Sequence, residues 1–184
     1  MELKEKATEW LDFKFLNTAD KKEIEKNLEN PKWLMESFGS ELEFGTGGLR
    51  GIVGPGISKM NIYNVRKITL GLCNAAKKFG NKIVIGYDSR LSSVEFAHAT
   101  AAVCLEQGFE VFMFSKPAAT PAVSFAIRKL NANVGVNITA SHNPPEYNGY
   151  KVYWQDGAQV TAPNDQSIMK QITFISNYED AMKG

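Results

Sequence analysis

Three residue types that handle phosphate or protons fall close together between positions 137 and 154: Ser141, His142 and Lys151. An apolar run ends at Ile138, two prolines and an Asn148-Gly149 pair follow, and an aromatic, β-branched run resumes at Tyr150. That pattern predicts a strand, a rigid turn and a second strand. Ser141 and His142 then stand at the loop tip, where side chains are displayed. A serine held there can be a nucleophile, a phosphoryl acceptor or an ordinary turn residue. The nucleophile reading meets two objections. No Gly-x-Ser-x-Gly elbow surrounds Ser141, and His142, as its immediate neighbour, points away from the hydroxyl rather than taking its proton. A phosphoryl relay needs other equipment: cations and N–H groups around the phosphoryl, a divalent ion, and a base for the incoming hydroxyl.

A second anion-holding candidate is the stretch 44–56, the most glycine-dense of the chain. Glycine lets backbone N–H groups converge on an anion, and Arg50 offers a planar fork matched to phosphate. A flexible turn before a strand accounts for the glycines equally well. Nucleotide loops fail on spacing: a dinucleotide fingerprint starting at Gly45 needs glycine where Arg50 stands, and no Gly-Lys-Ser/Thr run occurs. Asp88-Ser89-Arg90, taken alone, reads as a self-contained salt-bridged turn.

Periodicity supplies the elements that must hold these residues. Leu3, Ala7, Trp10, Leu11 and Phe15 recur at helical spacing, Thr18 is placed to cap a second helix, and Asn30-Pro31 opens a third. Their charged residues read as a solvated face. From Asn61 helical faces and β-branched runs alternate. A helix over 62–79 closes at Gly80, a strand covers 82–87, and a Ser92/Glu95 capping box opens a helix that stops at Gly108. A strand over 109–114 precedes a helix from Thr120-Pro121, with Thr120 as cap and Ala122, Phe125, Ala126 and Leu130 inward; the strand 133–138 follows.

This succession implies right-handed crossovers and parallel strands covered on both faces, while Gln155-Asp156-Gly157 between the runs 150–154 and 158–160 predicts a hairpin. The expected fold class is therefore α/β: a three-layer domain with a mixed, largely parallel sheet between helices, preceded by an N-terminal helical segment. Residues 1–40 form the helical extension and 41–184 the α/β domain, ending in a helix and a frayed polar tail. Ligands of such sheets gather beyond the carboxyl ends of strands, where Asp88, the segment 116–120 and Ser141 all fall.

The bulk properties narrow the partners. At 184 residues, with 43% hydrophobic and 22% charged residues, the chain suits one soluble domain. A formal charge of +1 asks for neither nucleic acid nor an anionic membrane. No apolar run approaches the ~20 residues that span a bilayer, and no export signal is read, so the cytoplasm is the expected location. Cys73 and Cys104 read as small buried residues rather than a disulfide or metal site.

Thr139-Ala-Ser-His-Asn-Pro144 followed by Asn148-Gly-Tyr-Lys151 resembles the active-serine loop of the α-D-phosphohexomutases, the phosphoglucomutase and phosphomannomutase family. The wording is most similar to the branch holding phosphoglucomutases, phosphopentomutases and glucose-1,6-bisphosphate synthases. Phe44-Gly-Thr-Gly-Gly-Leu-Arg-Gly51 resembles that family's N-terminal signature. The resemblance implies that Ser141 carries a phosphoryl group, one oxygen of which also binds Mg2+. It gives Arg50 a phosphate-stabilising role, Lys151 a role as general acid or base and His142 a supporting proton-transfer role, and it makes Arg50, Ser141, His142, Lys151 and Arg90, the last near the phosphoserine, the expected substrate- and phosphate-binding residues.

The implied substrates are glucose 1- or 6-phosphate or a pentose phosphate, with a sugar 1,6-bisphosphate as intermediate and activator. The family's Asp-Gly-Asp-x-Asp-Arg magnesium loop and its Glu-x-x-Ser-Gly-His sugar-reading run do not occur in this sequence. The chain is accordingly read as the first of four family domains, partnered by the remaining domains of one polypeptide and inactive alone. A free-standing phosphate-binding module is the alternative.

Overall fold

In a computed structural model that describes residues 2–43, 45 and 48–183, the β-branched runs become the strands of a single sheet. The strands are β1 (Gly48–Ile52), β2 (Lys82–Tyr87), β3 (Glu110–Met113), β4 (Val134–Ile138) and β5 (Tyr147–Trp154), in the order β1-β5-β4-β2-β3. β3, β2 and β4 run parallel, whereas β5 is antiparallel to both β4 and β1. The sheet is thus mixed and mostly parallel. Its helices are α4 (Ile62–Ala76), α5 (Ser93–Glu106), α6 (Thr120–Lys129) and α7 (Asn164–Thr173). α4, α5 and α7 share one core with Ile83, Ile85, Val136, Ile138, Tyr150 and Val152, while Val123 and Ile127 of α6 cover Val84 and Tyr153 on the opposite face.

The N-terminal segment folds as α1 (Leu3–Leu11), α2 (Thr18–Asn27) and α3 (Pro31–Phe38). Asn30 caps α3 and Pro31 takes its first turn, as expected, because proline lacks only an N–H that would go unused there. Other boundaries differ from expectation for identifiable reasons. α1 stops short of Phe15, and Asn17 rather than Thr18 caps α2 by accepting from the Asp20 N–H. The capping box at Ser92 does not form, since the Ser92 hydroxyl accepts from Asn148 instead. Thr120 is not a cap either: Ala119 holds that position, and the Thr120 hydroxyl accepts from the Asn137 amide at 2.9 Å.

α6 is rotated relative to the expected face. Val123 and Ile127 are fully buried, whereas Phe125 is 60% exposed. Gly86 and Gly135 decide this, because a Cβ at either would lie 2.3 Å from the side chain of Val123 or Ile127. The two glycines form a shallow seat on the sheet into which those two residues drop. The run 158–160 contributes a single bridge, Gln159 to Tyr153, rather than a strand. The C-terminal tail docks instead of fraying: Tyr178 donates to Asn64 at 2.7 Å, and the buried Arg66 holds the Ala181 carbonyl at 2.7 Å.

Candidate active site

Asp88, the segment 116–120 and Ser141 leave the carboxyl ends of β2, β3 and β4 side by side. The Asp88 N–H donates to Ile138 at 3.0 Å and the Ala118 N–H to Tyr87 at 2.9 Å. Ser141 sits in the left-handed region with φ 59°, an unusual state for a residue bearing a Cβ. Its N–H donates to the Thr139 hydroxyl at 3.0 Å, which supports that turn. Both Ser141 and His142 are exposed. The expected turn is shorter than read: it ends at Glu146, and Asn148-Gly149 lies inside β5. Asn148 is buried there because its amide is taken by the hydroxyls of Ser92 and Ser93, at 2.8 and 3.0 Å.

Arg50 and Lys151 converge through sheet register. β1 pairs with β5 so that Gly48 faces Lys151 and Arg50 faces Gly149. Residues directly opposite in an antiparallel pair share a face, so two cations stand together on one face with two glycines beside them. Gly149 is required at its place: a Cβ would meet the carbonyl oxygens of Thr139 at 2.6 Å and Leu49 at 2.8 Å. Arg50 reaches the serine loop through one long hydrogen bond, Nη1 to Asn143 Oδ1 at 3.3 Å. Among the described residues neither Arg50 nor Lys151 forms an ion pair. Partial burial, together with the Arg50 charge and against the opposing pull of Asp88, lowers the Lys151 ammonium below its ordinary value. A cleft of about 230 Å³ opens beside the pair, lined also by Glu43 and Gln159.

Arg90 occupies the underside of the loop. It pairs with Asp88 at 3.2 Å and turns its remaining donors to carbonyl oxygens of the loop. The Asp88 carboxyl is pushed up by burial, but hydrogen bonds from Ser93, Thr139 and the Arg90 N–H, with the Arg90 charge, bring it below the ordinary carboxylate range.

Ser141, Arg50, Lys151 and Arg90 therefore meet at one edge, and Phe44, Thr46 and Gly47 of the glycine-rich stretch lie outside the described residues. Glu43 and Gln159 were not singled out from sequence, and Thr139, Asn143 and Asn148 entered there only inside longer runs, with no site role of their own. Thr139, Asn143 and Asn148 carried a usable signal, since they flank Ser141 and Lys151 in the same run; Glu43 and Gln159 become visible only through strand register.

The arrangement offers an anion two cations without ion-pair partners among the described residues, near the loop of an exposed serine, and one of them holds its proton less tightly than an ordinary lysine. Among the described residues no three His, Cys, Asp or Glu side chains converge. A larger cavity of about 500 Å³ is lined by Trp10, Phe13 and Tyr178 and involves none of these residues. No helix among the described residues is long and apolar enough to cross a membrane.

Residues 41–179 fit the family model described as phosphoglucomutase/phosphomannomutase, alpha/beta/alpha domain I. The chain is 42% identical over 154 residues to the phosphopentomutase of Homo sapiens, which covers 78% of this chain and 25% of that protein. It is 40% identical over 169 residues to the glucose 1,6-bisphosphate synthase of Homo sapiens, covering 85% and 27%. A solved phosphoglucomutase/phosphomannomutase family protein from Burkholderia thailandensis superposes with a TM-score of 0.60 at 26% identity, covering 71% of this chain and 30% of that one. The chain thus spans about a quarter of the length of the curated relatives it matches.

Proposed function

The chain belongs to the phosphoglucomutase/phosphomannomutase family, and from that premise we propose that it is the phosphoserine-bearing part of a sugar-phosphate mutase. The relatives are phosphosugar mutases and a bisphosphate synthase by name, which supports glucose or pentose phosphates as the substrate class. In the proposed cycle Ser141 begins phosphorylated. A sugar-phosphate hydroxyl attacks the phosphoryl, the Oγ–P bond breaks as the new O–P bond forms, and the hydroxyl proton passes to Lys151 acting as general base from its deprotonated fraction. The sugar bisphosphate turns over in the site, its other phosphoryl returns to the Ser141 oxygen, and the freed sugar oxygen regains a proton from Lys151. Arg50 balances the charge on the phosphoryl, and His142 assists the proton movements.

The observation that carries this reading is the convergence of Arg50 and Lys151, without counter-ions among the described residues, on one face beside an exposed serine held at φ 59°. A group transfer of this type is accelerated mainly by placement and charge stabilisation, and two cations beside an exposed serine support that reading. Because this chain spans about a quarter of the length of its curated relatives, we place the magnesium ligands and the sugar-reading groups in other parts of a longer polypeptide and expect no turnover from this chain by itself; the cytoplasm stays the proposed location. The test is Ser141→Ala in that longer protein: turnover should vanish while the circular dichroism spectrum and melting curve stay as in the unmodified protein. Retained turnover would sink the assignment, and so would an unmodified protein in which mass spectrometry finds no phosphoryl on Ser141 after incubation with a hexose 1,6-bisphosphate.

A further inference from the structure

Every N–H donor of one side chain beneath the serine loop is spent inside the protein. Arg90 Nε bonds Asp88 Oδ2 at 3.2 Å. Its Nη1 bonds the carbonyl oxygens of Pro144 at 2.7 Å and Tyr147 at 2.8 Å, and its Nη2 those of Ser141 at 3.2 Å and Asn143 at 2.7 Å. A guanidinium has five donors in a fixed plane, so the count closes. From this we propose that Arg90, seated on Asp88, is a positioning residue that sets the conformation of the Ser141 loop and is not a ligand for substrate phosphate.

The loop needs such a brace. Between 140 and 147 its own backbone supplies two hydrogen bonds, Asn143 N–H to Ala140 at 3.1 Å and Tyr147 N–H to Pro144 at 3.0 Å, while Pro144 and Pro145 have no N–H to offer. Ser141 sits in a costly backbone region, which persists only where the surroundings over-determine it. One guanidinium gathering four carbonyls does this, and the seat beneath it is itself fixed. Asp88 accepts from the Ser93 hydroxyl at 2.6 Å, and Ser93 accepts from Asn148 of β5 at 3.0 Å. The circuit closes on the strand that carries Lys151, so the serine oxygen and the lysine are referenced to the same scaffold.

A phosphate ligand here would have to take a donor from a carbonyl oxygen or from Asp88, all of which the guanidinium, itself only 14% exposed, now holds. Arg50, exposed and with one long bond, is not committed in this way. Lysine cannot substitute at Arg90, because three donors on one nitrogen cannot span four carbonyls and a carboxylate.

This inference rests on the mutase reading for its catalytic readout alone. Arg90→Lys, Arg90→Ala and Asp88→Asn are made in the longer protein that carries this chain. Amide hydrogen exchange is followed at residues 140–147, and kcat, KM for glucose 1-phosphate and the rate of phosphoserine discharge are followed in parallel. Expected are exchange faster by about tenfold or more in 140–147, with β2 unchanged. A drop in kcat on the order of 100-fold is expected, with KM within a few-fold and no rescue by lysine. Should an arginine variant fail to fold, Asp88→Asn loosens the same brace and decides the point. Unchanged exchange in the loop overturns the proposal, as does a tenfold rise in KM at constant kcat, the mark of a lost phosphate ligand. If the unmodified protein shows no phosphoryl transfer, the mutase reading fails, and the exchange comparison still decides the role of Arg90.

Discussion

At the scale of single residues, Ser141 and Lys151 each stand in a state the fold disfavours. A serine at φ 59° carries a backbone cost of about 1 kcal/mol that glycine does not. Ser141→Gly should therefore raise stability by roughly that amount in urea denaturation while removing the phosphoryl acceptor; a loss of stability would mean that the strain is absent. Lys151 has its ammonium lowered from the ordinary 10.5 by burial first and by Arg50 second. The folded protein thus binds this proton less tightly than the unfolded chain. The charged lysine costs stability at neutral pH, and the cost is relieved as pH rises from the lowered value through 10.5. Lys151→Met should melt at the same temperature or higher at pH 7, with the difference shrinking toward pH 10.5, and should slow phosphoserine discharge by about 10²–10⁴-fold. A fall in melting temperature at pH 7 would show that the ammonium is instead stabilised.

At the scale of elements, the seat of α6 on Gly86 and Gly135 controls one whole face. A Cβ added at Gly135 would meet Ile127 Cδ1 at 2.3 Å and Cγ1 at 2.8 Å. Gly135→Ala should cost about 1–3 kcal/mol by overpacking. Ile127→Val alone should cost about 0.5–1.5 kcal/mol, and the double variant should lose less than the sum, by about 1 kcal/mol. Strict additivity in chemical denaturation would contradict the seat. The same contact explains what the sequence did and did not disclose. Strand β2 was legible to the residue, because Gly80 and the β-branched run at 82–87 signal locally. The inward face of α6 was not: Ala122, Phe125 and Ala126 satisfy helical spacing as well as Val123 and Ile127 do, and only the glycines of two distant strands select between them. Asn148-Gly149 misleads for a like reason. The pair has the chemistry of a turn, and what holds it in β5 is Ser92 and Ser93, more than fifty positions earlier. Of the site, Ser141 and Lys151 were legible as one run and Arg50 as a motif, whereas the saturation of Arg90 depends on carbonyl oxygens, which no side-chain pattern records.

At the scale of the whole molecule, the helical preface either rides on the α/β domain or completes it, and its aromatic residues favour the second. Trp10 of α1 meets Phe38 of α3 and both Tyr63 and Tyr178 of the α/β part edge-on, with ring centroids 5.5–5.8 Å apart. Tyr63 accepts from the Asn17 N–H and bonds Asp20, and burial together with Asp20 pushes its phenol up to about 12. The preface also reaches the scaffold of the site, indirectly, through residues 53–60. The Ser58 N–H bonds Ser37, the Met60 N–H bonds Ile52 at the end of β1, and the Val53 N–H bonds Glu146 just before β5. Trp10→Ala should accordingly cost about 3–5 kcal/mol, a large share of a typical domain's 5–15 kcal/mol. The unfolding curve should stay a single transition, with the fluorescence of the remaining tryptophans and the far-ultraviolet signal changing together. A cost below about 1 kcal/mol, or an early separate transition for the preface, would make it an appendage. Under the expected outcome the boundary near residue 40 divides the sequence but not the stability, and loosening the preface loosens the strand that carries Arg50.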